Sequence, residues 1–175
     1  SRRKLKNLHA QSDLALDVYW RSFMNIYQLL KELGYLTEEN KPSPLGTFTS
    51  KIRYENELYL SELLQRGIFD MLSPSALAAV MCALVNDSTR ENLYARMSLS
   101  PESAKVCHQL VKEQMRVKKL QGRYQIPILL SLNPVASPLV EAWVQQLPWE
   151  KLTEATNIDA GDLVRLMRRT SDLLR

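Results

Sequence analysis

The sequence predicts an all-α protein, one helical bundle of roughly seven helices. Three observations carry that prediction. Apolar residues recur at three- and four-residue steps through most of the chain. Ser73-Pro74, Ser100-Pro101 and Ser137-Pro138 each pair an N-cap residue with a proline suited to the first helical turn. Five glycines and a sparse β-branched content leave little material for tight β-turns and strands.

Taken in order, residues 1–11 form a basic lead-in. Leu14, Leu16, Val18, Tyr19, Phe23, Ile26, Tyr27, Leu30 and Leu33 then predict a long helix over 12–33. Ser12 or Asp13 caps it and Gly34 stops it. Pro42 and Pro44 make 37–44 a link without regular hydrogen bonding. A second helix is expected over 47–66, ending at Gly67, with Ile52, Leu58, Tyr59, Leu63 and Leu64 inward. On it, Lys51–Glu55 and Arg53–Glu57 fall at pairing distance. The helix over 74–85 is apolar nearly all round, which marks the buried centre of the bundle. Asn86-Asp87-Ser88-Thr89 breaks it, and a short helical turn is expected at 91–97.

From Ser100 a helix runs to about Leu120. Val106, Leu110, Val111, Met115 and Val117 form its apolar stripe, and Gly122 its stop. Residues 123–134, with Pro127 among isoleucines and leucines, read as one extended buried crossing segment. A helix after Ser137 turns Leu139, Val140, Trp143, Val144 and Leu147 inward, and a short one covers 148–155. The closing helix, 159–175, has Leu163, Leu166, Met167, Thr170, Leu173 and Leu174 on one face. Arg165, Arg168, Arg169, Asp172 and Arg175 occupy the other, and Asp159 and Asp162 favour its N-terminus. That arginine front is either a solvated face with an Arg168–Asp172 pair or the wall of a channel for an anionic polymer.

The totals exclude several classes. At 175 residues, 45% apolar and 24% charged, the chain can fill a core and is not of disordered composition. A net charge of +4 and pI near 9.1 permit an anionic partner without requiring one. No apolar run approaches membrane-spanning length and no signal peptide opens the chain, so an intracellular protein is expected. Cys82, Cys107, His9 and His108 do not have the spacing of a metal site, and the cysteines read as buried thiols. No phosphate-cradling glycine loop or nucleophile–base constellation is visible, so no catalytic centre is expected within this chain. The charged start at Ser1 and the helical end at Arg175 read as those of a piece of a longer protein.

Four blocks in order carry a family resemblance. They are residues 46–64, from Gly46-Thr47-Phe48 to Leu63-Leu64; Gly67-Ile68-Phe69-Asp70 with Leu72-Ser73-Pro74 and Leu77-Ala78-Ala79; Trp143 with Leu147-Pro148-Trp149; and Gly161 to Arg169 with Asp172-Leu173-Leu174-Arg175. Together they resemble the DSHCT domain, the C-terminal helical domain of superkiller-type DExH-box RNA helicases, over nearly all of the chain from about Leu14. The variants are most similar to the cyanobacterial and chloroplast type.

The resemblance implies that two RecA-like motor domains and a winged helix precede this bundle, and that ATP and Mg²⁺ serve those motor domains. The bundle closes the channel for single-stranded RNA, and its closing "ratchet" helix lies along the strand. Arg165 occupies the position of an RNA-contacting arginine, with Arg168, Arg169 and Arg175 as further candidates. Arg53, Asn86 and Asp87 are candidates to face the channel, although the family's acidic residue there has two competitors in Asn86-Asp87.

The resemblance also implies a bacterial cytoplasmic or chloroplast-stromal setting, with nucleus or cytosol as the alternative. A different reading takes the basic side of 105–123, with Lys112, Arg116 and Lys119, as a docking face for an RNA-processing or ribosomal protein. A free-standing helix-turn-helix regulator would leave the first two blocks unexplained.

Overall fold

The computed structural model describes residues 2–127 and 130–175, with side chains from residue 16 onward. They form eight α-helices and a 3-10 turn: α1 (Arg2–Glu32), α2 (Pro44–Thr49), α3 (Glu57–Gln65), α4 (Pro74–Val85), α5 (Pro101–Arg123), the turn Pro134–Ala136, α6 (Ser137–Val144), α7 (Trp149–Glu154) and α8 (Ala160–Leu173). No strand occurs among the described residues, only the isolated bridges Leu36–Pro42 and Ala95–Thr156. The all-α class holds. The chain divides into two compact units, one of Ser1–Ile52 with Arg116–Ile128, the other of Arg53–Met115 with Leu129–Arg175.

In the first unit, α1 begins at Arg2, ten residues before the expected start, so the lead-in is helical. Ser12, Asp13, Leu14 and His9 lie outside the described side chains. Among those described, Leu29 alone on α1 is fully buried, while Leu16, Val18, Tyr19, Trp20, Phe23 and Ile26 are exposed. Among the described side chains, the expected inward stripe is therefore covered only near its C-terminal end. Gly34 takes a left-handed φ of 77° and turns the chain so that Ser43 N–H donates to the Tyr35 carbonyl at 3.0 Å. Gly46 cannot be replaced there, since a Cβ would lie 2.1 Å from the Tyr35 oxygen. Arg123 pairs with Glu32 at 2.9 Å, and the Tyr124 hydroxyl donates to the same carboxylate.

The helix expected over 47–66 is two helices. Residues 51–56 leave the helical path because Asn56, 2% exposed, caps a new start, its Oδ1 accepting Tyr59 N–H at 2.9 Å. The helical spacing that would have paired Lys51 with Glu55 and Arg53 with Glu57 is lost with it. The short helix expected at 91–97 is absent: the segment is turns and bends with one isolated bridge, Ala95–Thr156. Arg96 N–H donates to Ala155 O at 2.7 Å, Tyr94 N–H to Asn157 Oδ1 at 2.9 Å, and Asn157 Nδ2 to Asn92 O at 2.7 Å. These bonds satisfy backbone groups that a helix would have paired internally.

The second unit is assembled on α4, which packs against α6 and α8. Ala78, Cys82 and Val85 meet Leu139, Val140, Leu152, Ile158, Leu163 and Leu166 in one apolar cluster. All of α4 from Ala78 to Val85 is buried, as its all-round apolar sequence requires. Ser73 caps α4 through Ala76 N–H at 3.3 Å, and Ser100 caps α5 through Ser103 N–H at 3.2 Å.

Sequence reading gave no sign of the group behind the second cap. Glu141, 4% exposed, accepts from Ser100 N at 2.9 Å, Ser100 Oγ at 2.5 Å and Ser103 Oγ at 2.6 Å. A carboxylate buried this deeply is tolerated because its lone pairs are met by those donors.

α5 continues past Gly122 to Arg123, and Gln125, at φ 54°, turns the chain out of it. Of the predicted extended segment, Ile126 and Leu130 are buried and non-helical, while Ile128 and Leu129 lie outside the described residues. Trp143 and Val144 are not inward. They are 45% and 41% exposed, at the last two positions of α6, while Glu141 and Ala142 of the same turn stay buried.

Candidate nucleic-acid interface

The loop after α4 is fixed before any arginine reaches it. The Tyr54 hydroxyl donates to Leu84 O at 3.0 Å, satisfying a carbonyl of the last turn of α4. Burial pushes the Tyr54 hydroxyl up to about 12, with Glu55 adding to the shift and the Arg169 charge opposing it. Asn86, 5% exposed, donates from Nδ2 to Asn133 O at 3.1 Å and accepts Ser88 N–H at 3.2 Å. Asn133 returns a bond to Ser88 O at 3.0 Å. The Asn86 side chain is thus committed to the loop, and Asp87 is presented outward.

α8 supplies the facing wall. Leu163, Leu166 and Thr170 are buried, Met167 and Leu173 half-buried and Leu174 exposed. Arg169 Nη1 donates to Asp87 Oδ1 at 2.7 Å, and the guanidinium holds the Asp87 carboxyl below the usual carboxylate range. Arg165 pairs with Asp162 at 3.1 Å one turn back. Asp159 stands at the N-cap but makes no side-chain cap bond. Arg90 takes its carboxylate at 3.2 Å and reaches Asp162 at 3.4 Å.

Between these groups lies a concave pocket of about 100 Å³, with Leu93, Ile158 and Leu166 as its apolar floor. Its rim carries three guanidiniums, Arg90, Arg165 and Arg169, against the carboxylates of Asp87 and Asp162, and with Asp159 paired to Arg90 from outside the lining the charges balance. Exposed ion pairs of this kind are worth about 0–1 kcal/mol, so an incoming phosphate can displace a carboxylate at small cost.

The remaining candidates lie elsewhere. Arg168 points to the other flank of α8, where it lines a groove with Trp143 and Trp149, and the Arg168–Asp172 pair does not form. Arg175 pairs with Asp172 instead, at 3.7 Å. Arg53 is exposed in the 51–56 link and does not line the pocket. On α5, Lys112 and Lys119 are exposed and Arg116 is half-buried, on a helix that contributes nothing to the pocket wall. Arg90 was missed by sequence reading, since its partners lie about seventy residues downstream and nothing local signals them.

Among the described residues, no group of His, Cys, Asp and Glu could hold a metal ion, and no helix is long and apolar enough to cross a membrane. Burial pushes the Cys82 thiol up to about 12 and the Cys107 thiol to about 11, the latter also raised by Glu141. Neither is suited to nucleophilic work at neutral pH.

An all-α domain built on one buried helix, with an arginine-bearing closing helix over a fixed acidic loop, is the class that fold and site define. The model of the DSHCT (NUC185) domain matches residues 39–175. The chain belongs to that family.

It is 33% identical over 161 residues to the DExH-box ATP-dependent RNA helicase DExH15, chloroplastic, of Arabidopsis thaliana, a match covering 89% of this chain and 14% of that protein. It is 26% identical over 188 residues to the ATP-dependent RNA helicase mtr4 of Schizosaccharomyces pombe, covering 99% of this chain and 16% of the relative. To the human exosome RNA helicase MTR4 it is 25% identical over 153 residues, covering 85% of this chain and 14% of the relative. The chain thus spans about a seventh of the length of these relatives.

Proposed function

We propose that this chain is the RNA-channel module of a DExH-box ATP-dependent RNA helicase. It contacts single-stranded RNA without sequence preference and supports translocation and unwinding in RNA processing or decay. The observation that carries the reading is the convergence of Arg165 and Arg169 with Arg90 on one pocket, on the closing helix of a DSHCT domain. Guanidiniums pair with phosphate and stack on bases whatever the sequence, as a moving strand requires. Arg165 is the primary contact, Arg169 and Arg168 flank it, and Arg175 lies at the helix end. Asp87 faces the same pocket, whereas Asn86 serves the loop.

ATP and Mg²⁺ act in RecA-like motor domains of the same protein, which with a winged helix form the rest of the channel. The name of the Arabidopsis relative supports a chloroplast setting. A second reading, docking of an RNA-processing or ribosomal protein on α5, rests on exposed Lys112 and Lys119 beside Met115, 65% exposed.

The test replaces Arg165 and Arg169 together by alanine in the helicase carrying this domain. Unwinding of a tailed duplex is expected to fall at least tenfold, and unchanged unwinding refutes the reading.

A further inference from the structure

Two concavities are lined from α8, and the arginine pocket is one of them. In the other, Trp143 from the end of α6 and Trp149 from the start of α7 meet edge to face, their centroids 6.0 Å apart and planes at 82°. With Val164, Met167, Arg168 and Ser171 they line an open groove of about 440 Å³. No carboxylate lines it. Trp143 is 45% and Val164 43% exposed, so a contiguous apolar patch faces solvent, unlike the isolated apolar residues any surface carries.

Arg168 beside it is unusual for this helix. Arg165 pairs with Asp162, Arg169 with Asp87 and Arg175 with Asp172, whereas Arg168 has no ion pair among the described residues. An uncompensated guanidinium at the lip of an aromatic groove matches a ligand with both a π face and a negative charge.

We infer that this groove is a nucleobase subsite, Trp143 and Trp149 receiving a base of single-stranded RNA while Arg168 holds the adjoining phosphate. The inference rests on the RNA-channel reading and extends it, because the strand then crosses the crest of α8 instead of following one flank. Successive helical residues point about 100° apart, so Arg168 and Arg169 straddle that crest. Neighbouring phosphates on the two arginines would leave one base above the tryptophans. Stacking on a tryptophan face is indifferent to base identity, in keeping with a sequence-tolerant channel. A docked acidic, aromatic peptide would use the same chemistry, but neighbouring residues of one helix, Val164 and Arg165 and then Arg168 and Arg169, line the groove and the arginine pocket in turn, which favours the strand.

The chain's three tryptophans make the test direct. Trp20 lies on α1, so Trp20→Phe leaves only the two groove tryptophans to fluoresce. This variant is titrated with oligouridylate while binding is followed independently by anisotropy of a labelled oligouridylate. The expected result is tryptophan quenching that saturates at the same concentration as anisotropy. Trp143→Ala, with unchanged circular dichroism, should weaken binding about 5- to 150-fold, the range for one stacked base. Trp143→Phe should retain most of the affinity. If Trp143→Ala does not fold, photocrosslinking of 5-iodouridine RNA to the Trp20→Phe chain serves instead, with adducts expected at Trp143 or Trp149.

Saturating anisotropy with unquenched tryptophan, or crosslinks confined to the Arg165–Arg169 flank, overturns the groove and leaves the channel reading intact. Quenching by an acidic aromatic peptide and not by RNA overturns it in favour of protein docking. Absence of binding by anisotropy overturns both readings.

Discussion

Arg169 on α8 and Asp87 after α4 meet at 2.7 Å across 82 residues of sequence, closing a guanidinium against a carboxylate at the mouth of the candidate RNA pocket. The Asp87 side is anchored by the Asn86–Asn133–Ser88 bonds, and the Arg169 side by the buried leucines behind it. The pair therefore sets where one cation stands, and on the proposed RNA-channel reading a phosphate would compete with Asp87 for that cation.

Asp87→Asn should strengthen RNA binding, by about two- to tenfold at low salt. The change removes a negative charge from the pocket and frees Arg169 while keeping the side-chain shape. Anisotropy titration of wild type and variant checks this. Weaker binding by the variant would mean that Asp87 orients Arg169 more than it competes for it.

The same pair predicts a pH dependence. The Asp87 pKa is lowered in the folded protein, so the pair's contribution is complete above the unfolded carboxyl value near 3.9 and is lost as pH falls through the lower folded value. The Asp87 side chain is 57% and that of Arg169 35% exposed, so solvent screening keeps the contribution within about 0–1 kcal/mol. Carboxyl carbon NMR should give a midpoint for Asp87 below the usual aspartate value, returning toward it in Arg169→Ala. Equal midpoints in the two proteins would remove the pair as the cause.

Glu141 predicts a larger effect on stability than its surface-type residue class suggests. Glu141→Ala leaves the Ser100 and Ser103 donors at the start of α5 without their acceptor and should cost about 3 kcal/mol in urea denaturation. Glu141→Gln retains the shape and an acceptor oxygen and should cost less. A loss under about 1 kcal/mol for the alanine variant would show that water replaces the carboxylate there.

The two cysteines should resist alkylation. With thiol values near 12 and 11, roughly one molecule in ten thousand carries a Cys82 thiolate at pH 8 and one in a thousand a Cys107 thiolate. Iodoacetamide at pH 8 should label both only after denaturant is added, Cys107 first because Cys82 is fully buried. Rapid labelling of Cys82 in the native chain would contradict the burial described for α4.

Local pattern made α4 and α8 legible, since an all-apolar decapeptide and a clean amphipathic stripe need no distant information. The break at 51–56 was hidden because the apolar spacing of Ile52, Leu58, Tyr59 and Leu63 suits one helix as well as two. The cap at Asn56 decides between them only once the residue is buried. The order of the DSHCT blocks identified the family, whereas the division of labour on α8 was beyond reach. Which arginine faces Asp87, and which faces Trp143 and Trp149, depends on how α4, α6 and α7 pack against α8. Arg90 and Glu141 were overlooked for the same reason, each finding its partners far along the chain.

The central claim is that Arg165 and Arg169 neutralise phosphates of a single strand. Its most direct measurement is the salt dependence of oligouridylate binding by wild type and by the Arg165→Ala, Arg169→Ala double variant. Each phosphate contact on a single strand contributes about 0.7 to the slope of log K against log salt. The variant is therefore expected to bind more weakly and with a slope shallower by about 1.4. Superimposable lines for the two proteins would contradict the account.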